Sequence, residues 1–82
     1  MSSPSKLRWL CRRGSLELDL ILARYLDCRY EATDAGEQQL FETLLGFPDL
    51  ELQRFLITQE DPSDSDLLNL VRTIRSVAAN SA

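Results

Sequence analysis

The chain has 82 residues, 44% of them apolar and 27% charged, which describes one globular domain and not a disordered segment. So short a chain buries only about 60–65% of its unfolded surface, leaving a small core and little room for a deep substrate cavity. No apolar run approaches the ~20 residues of a membrane helix, and no signal-peptide stretch opens the sequence. The net charge of −4 opposes general nucleic-acid binding, because phosphate backbones repel an acidic body.

These exclusions point to a protein of the cytosol that is not inserted in a membrane. Cys11 and Cys28 lack metal-ligand spacing and read as two reduced thiols. The charge is unevenly spread. Lys6, Arg8, Arg12 and Arg13 precede every acidic residue, whereas residues 31–66 hold ten acids against one base, Arg54. The basic edge is either a solvated helix face or a surface for an acidic patch on a partner.

Residues 1–5 read as a tail, with Ser5 able to cap a first helix over about Lys6–Arg13. Trp9, the only tryptophan, is expected to be half buried. Gly14 then ends the helix through a left-handed conformation. Gly14 or Ser15 caps the second helix, with Glu17 in its first turn, where the helix dipole favours a carboxylate.

The second helix runs to about Cys28. Leu18, Ile21, Leu22, Tyr25 and Leu26 share one face, and Leu16, Leu20 and Ala23 widen it, which makes this the central helix. Asp34 and Glu37 have capping-box-like spacing at the start of a third helix. Its stripe is Leu40, Phe41, Leu44 and Leu45, and Gly46 ends it. Pro48 makes a turn and Asp49 caps the fourth helix, which carries Leu52, Phe55 and Leu56. Residues 59–64 form an acidic loop broken by Pro62. The fifth helix presents Leu67, Leu70, Val71, Ile74, Val77 and Ala78, and residues 80–82 fray. The pattern predicts an all-α protein: a single-domain, small antiparallel five-helix bundle over residues 6–79.

Histidine is absent, which removes the commonest general base and metal ligand and every Ser-His or Cys-His arrangement. The glycines stand apart at 14, 36 and 46 and build no phosphate loop. The carboxylates fall at caps and on outer faces. No catalytic residue and no metal site is expected, and the chain reads as a binding protein and not as an enzyme.

The segment Trp9-Leu-Cys-Arg-Arg-Gly-Ser-Leu-Glu-Leu-Asp19 stands out. One reading is a plain helix stop followed by a capped helix, in which Arg13 and Glu17 pair weakly at four-residue spacing. The other is a binding surface. Gly14 would then allow close backbone approach, Arg13 would offer a planar fork of donors, and Glu17 and Asp19 would offer acceptors. The residues alone leave both open.

At this segment the sequence resembles the FAD assembly factors of succinate dehydrogenase. That family's signature is Arg-Gly-x-x-Glu, matched by Arg13, Gly14 and Glu17, with Trp9, Cys11 and Arg12 before it and Leu18 and Asp19 after. The resemblance extends over about residues 6–75, through Tyr30, Asp34, Glu37, Phe41, Asp49, Leu52, Phe55, Pro62 and Arg72. Phe55 stands where relatives often have tryptophan, and Leu16 where they are often polar.

The resemblance implies a five-helix bundle that binds the flavoprotein subunit of succinate dehydrogenase, and in bacteria often that of fumarate reductase. It implies that the binder promotes covalent FAD attachment to a histidine of the client. The FAD then belongs to the client, and the factor needs no cofactor of its own. The implied contact surface comprises Gly14, Glu17 and Arg13, supported by Arg12, Asp19 and Trp9. A monomer in the bacterial cytoplasm is expected, with an apolar edge that could pair weakly. Two other classes remain. One is an antitoxin that neutralises a small membrane-associated toxin, a role also attached to members of this family. The other is a flavin-transferring enzyme, opposed by few aromatics and no phosphate loop.

Overall fold

A computed structural model describes residues 4–80, excluding the side chains of residues 4, 5 and 80. Among the described residues there are five α-helices and no strand. They are α1 (Pro4–Leu10), α2 (Leu16–Cys28), α3 (Ala35–Leu45), α4 (Asp49–Leu56) and α5 (Ser65–Asn80), with a single 3-10 turn at Tyr30–Ala32 between α2 and α3.

Helix α2 is central, as its apolar face predicts. Leu18, Leu22 and Tyr25 are fully buried, and the helix packs against α5, α4 and α1. Phe41 and Leu44 of α3, Leu52 of α4, and Val71 and Ile74 of α5 close the core, while α1 adds Leu7. The Phe41 ring lies 4.5 Å from that of Tyr25 and 5.7 Å from that of Tyr30, so the 3-10 turn seals one end of the core with an aromatic cluster.

Buried tyrosines need partners for their hydroxyls, and acids of α3 supply them. Tyr25 Oη donates to Glu37 Oε2 at 2.5 Å and Tyr30 Oη to Glu42 Oε2 at 2.8 Å. Asp34 caps α3 by accepting from the Glu37 backbone N–H at 2.8 Å. The Glu37 side chain also meets Arg29 Nε at 2.9 Å.

Several expected boundaries shift. Helix α1 already includes Pro4 and Ser5, so it starts before the expected Ser5 cap; the fixed φ of proline suits a first turn. Residues 1–3 and 81–82 of the expected tails lie outside the described residues. Helix α1 also stops at Leu10, three residues before the expected Arg13. Pro48, not Asp49, is the N-cap of α4; its carbonyl accepts from Glu51 N and Leu52 N, which leaves the Asp49 carboxylate free for another partner.

The C-terminal end of α4 is finished by a device the sequence does not announce. Gln59 takes a left-handed φ of 62°, and the Glu60 N–H returns to Arg54 O at 2.8 Å. Arg75 of α5 then donates to Phe55 O at 2.8 Å and Glu60 O at 3.0 Å and pairs with Asp61. A cation is favoured there because the last carbonyls of a helix are unpaired and carry partial negative charge.

Candidate functional site

The turn from residue 11 to residue 15 is built by local bonds. Cys11 N–H returns to Leu7 O and Arg12 N–H to Trp9 O, which closes α1 tightly. The Arg13 N–H leaves the helical pattern altogether and donates to the Asp19 carboxylate at 2.6 Å. Gly14 follows with a left-handed φ of 85°, and Ser15 enters α2 as N-cap without a side-chain cap bond. Gly14 therefore shapes the linker between two helices; it does not end α1. An added Cβ there would meet no atom within 4 Å, so the position is open to solvent.

The six candidate residues divide into two groups. Arg13 and Asp19 face inward. The Arg13 side chain is only 14% exposed. It donates through Nε to Asp49 Oδ1 at 2.8 Å, through Nη1 to Leu10 O at 3.1 Å and Leu45 O at 2.8 Å, and through Nη2 to Phe47 O at 2.7 Å. These contacts use all but one of its side-chain N–H donors. The guanidinium thus stands at the C-terminal ends of both α1 and α3, where helix dipoles favour a cation, and at the N-terminal end of α4. The i,i+4 pairing of Arg13 with Glu17 does not form, because these non-local acceptors outcompete an exposed carboxylate.

Glu17, Arg12 and Trp9 face outward with Gly14. The side chains of Glu17 and Arg12 are exposed and make no hydrogen bond or ion pair among the described residues. Trp9 is 74% exposed, against the expectation of half burial. Leu7 of α1 and Cys11 just after its end are buried, one turn apart, and Trp9 lies roughly 200° around the helix from Leu7. Leu16 and Leu20 of α2 are 76% and 52% exposed. The sequence pattern adds them to the buried face, but they lie roughly 200° from Leu18 and Leu22 on the same helix, and α1 is too short to cover them.

Trp9, Leu16 and Leu20 line a groove of about 640 Å³ between α1 and α2, with Cys11 and Leu26 also in its wall and Arg8 and Arg12 alongside. Burial raises the Cys11 thiol to about 11, with nearby Arg13 and Arg8 opposing, so it stays a neutral, apolar surface. Arg8 is paired to Asp27. A second concavity of about 550 Å³ lies between α3 and α5. Two of its three carboxylates already have structural partners: Asp34 caps α3, and Glu37 holds Arg29 and Tyr25. Asp66 is the third.

Two features of the site are not legible in the sequence: the partnership of Asp49 and the groove leucines. Asp49 reads there as a helix cap, and no motif joins it to Arg13, since the two are 36 residues apart. The leucines carry a signal only in retrospect, as apolar positions that alternate with the buried ones on α2.

The chain is similar to known proteins over nearly its whole length. The family model described as "Flavinator of succinate dehydrogenase", Sdh5, matches residues 5–78. A protein of Methylococcus capsulatus named FAD assembly factor SdhE is 39% identical over 82 residues, covering 100% of this chain and 99% of its own. Proteins of the same name from Coxiella burnetii and Legionella pneumophila are 34% and 36% identical, covering 90% and 88% of this chain and 90% of each relative. With a family model spanning nearly its whole length and relatives matched over 88–100% of it, the chain belongs to the Sdh5 family, the flavinators of succinate dehydrogenase.

Proposed function

We propose that this protein is an assembly factor that binds the flavoprotein subunit of succinate dehydrogenase, or of fumarate reductase, and promotes covalent attachment of FAD without contributing a catalytic group. The observation that carries the reading is the Gly14 turn. It is open to close approach, and the unpaired Glu17 carboxylate is nearby. The family match and the names of the relatives support the client. The proposed compartment is the bacterial cytoplasm, which the bacterial relatives and the two free cysteines support.

A factor without histidine acts on such a reaction by binding. It holds the client in the conformation in which the client's own groups form the bond to FAD. A ~100-fold shift in that population requires about 2.7 kcal/mol of differential binding, well within reach of one packed surface. Gly14 and Glu17 make the contact, with Arg12 and Trp9 beside them. Arg13 and Asp19 contribute by fixing the turn, since their polar groups are engaged internally.

Mixing apo flavoprotein subunit, FAD and this protein, and following covalent flavin by in-gel fluorescence, tests the reading. Wild type should accelerate flavinylation, and Gly14→Arg or Glu17→Ala should abolish most of the gain. Full activity and binding in both variants would place the contact elsewhere.

A further inference from the structure

An apolar groove open to water needs a reason on so small a protein, where every large side chain left outside weakens the core. Trp9, Leu16 and Leu20 are all well exposed and converge on the one groove between α1 and α2. The groove is flanked by positive charge in a protein of net charge −4. Arg12 stands beside it with no partner among the described residues, and Arg8 stands beside it paired to Asp27. The one acid lining it, Asp19, is turned to the Arg13 N–H.

We infer that this groove is a second docking element, which takes an apolar side chain of the client flavoprotein flanked by a carboxylate that pairs with Arg12. The inference rests on the assembly-factor reading and adds to it the chemistry of the client segment. Charge selects the client over a second copy of this chain. A two-fold pairing through the groove would set Arg8 and Arg12 against their own counterparts, and like charges at an interface are disfavoured. An acidic-flanked apolar segment satisfies both the apolar wall and the unpaired guanidinium.

Trp9 is the only tryptophan, so 5-fluorotryptophan labelling gives a single 19F resonance from the groove. Titration with apo flavoprotein subunit should shift or broaden that resonance. Trp9→Ala and Leu20→Ser should weaken client binding by about 10-fold or more, the size of an interface anchor. Arg12→Gln should weaken it less and flatten its salt dependence. Melting temperatures should stay near wild type, because all three side chains are exposed.

If the client binds and Gly14→Arg blocks it, but the Trp9 resonance does not respond and Trp9→Ala binds within about two-fold of wild type, well short of an anchor's loss, the groove assignment is overturned and the assembly reading stands. If the wild-type protein does not bind the client at all, the assembly reading itself falls and the groove assignment falls with it. If the resonance moves with the protein's own concentration before client is added, the occupant is a second copy and the inference is overturned.

Discussion

Arg13 Nε donates to Asp49 Oδ1 at 2.8 Å and joins the turn between α1 and α2 to the first turn of α4, 36 residues later. The same guanidinium holds Leu45 O and Phe47 O. Four segments meet on one side chain, so Arg13 is a keystone of this fold. Arg13→Ala strips a charged donor from several part-buried carbonyls and should cost about 2–3 kcal/mol, a fall in melting temperature on the order of 10 °C. Asp49→Ala removes a half-exposed partner and should cost under about 1 kcal/mol. Chemical denaturation of the two variants checks the order. Equal losses would mean that the ion pair, and not the carbonyl contacts, carries the clamp.

Gly14 permits stability and docking to be separated. Its φ of 85° disfavours any residue with a Cβ, while the space around it is open. Gly14→Ala and Gly14→Arg should therefore both fold and lose about 1–2 kcal/mol from backbone strain. Gly14→Asn should lose less, because asparagine tolerates the left-handed region. Only the arginine variant should also block client binding sterically. Thermal melts beside a pull-down distinguish a strained turn from an obstructed contact.

Glu37 should give the protein an acid-sensitive step. The Arg29 hydrogen bond, followed by that from Tyr25, holds its carboxyl below the ordinary value although partial burial opposes this. The lowered pKa means that the ionised form favours folding. Its contribution is complete above the unfolded carboxylate pKa and is lost as pH falls through that value toward the folded one, from about pH 5 downward. Urea denaturation between about pH 7 and pH 3, a range that spans this window, should show wild type losing more stability than Glu37→Gln, with the curves converging at the acid end.

The two thiols should differ sharply. Cys28 is exposed and Cys11 is buried with its pKa pushed up to about 11. Since the thiolate is the reactive form, a maleimide should modify one thiol quickly in the native protein. Cys28→Ser should remove the fast phase, and Cys11 should react only when denaturant opens the fold. Rapid native labelling of Cys11 would show that α1 detaches readily from the core.

The local rules of the chain are legible in its residues. The Leu18-Leu22-Tyr25-Leu26 stripe, the Asp34 cap and the stop after α3 depend on residues within one or two turns of each other. The site is legible only in outline. Gly14 in the open turn and Glu17 in the first turn of α2 stand outward, but Arg13 reads as a donor for a partner when three of its four side-chain acceptors lie more than 30 residues away. No local pattern encodes such a bond. Trp9, Leu16 and Leu20 depart from expectation for a related reason: apolar character shows that a side chain would gain from burial, but not whether a neighbouring helix is long enough to cover it.

By itself, then, the sequence determined the helical class, the central helix, the lack of histidine chemistry and the prominence of the Arg13-Gly14-Glu17 segment. The first three follow from composition or from periodicity over a few turns, and the last from the family resemblance. Only the tertiary structure decided that Arg13 turns inward while Glu17 and Arg12 stay free, and that a seven-residue α1 leaves Trp9 and two leucines in water beside them. The division of labour within the motif depends on where α3 and α4 end, and that is fixed by packing across the whole core.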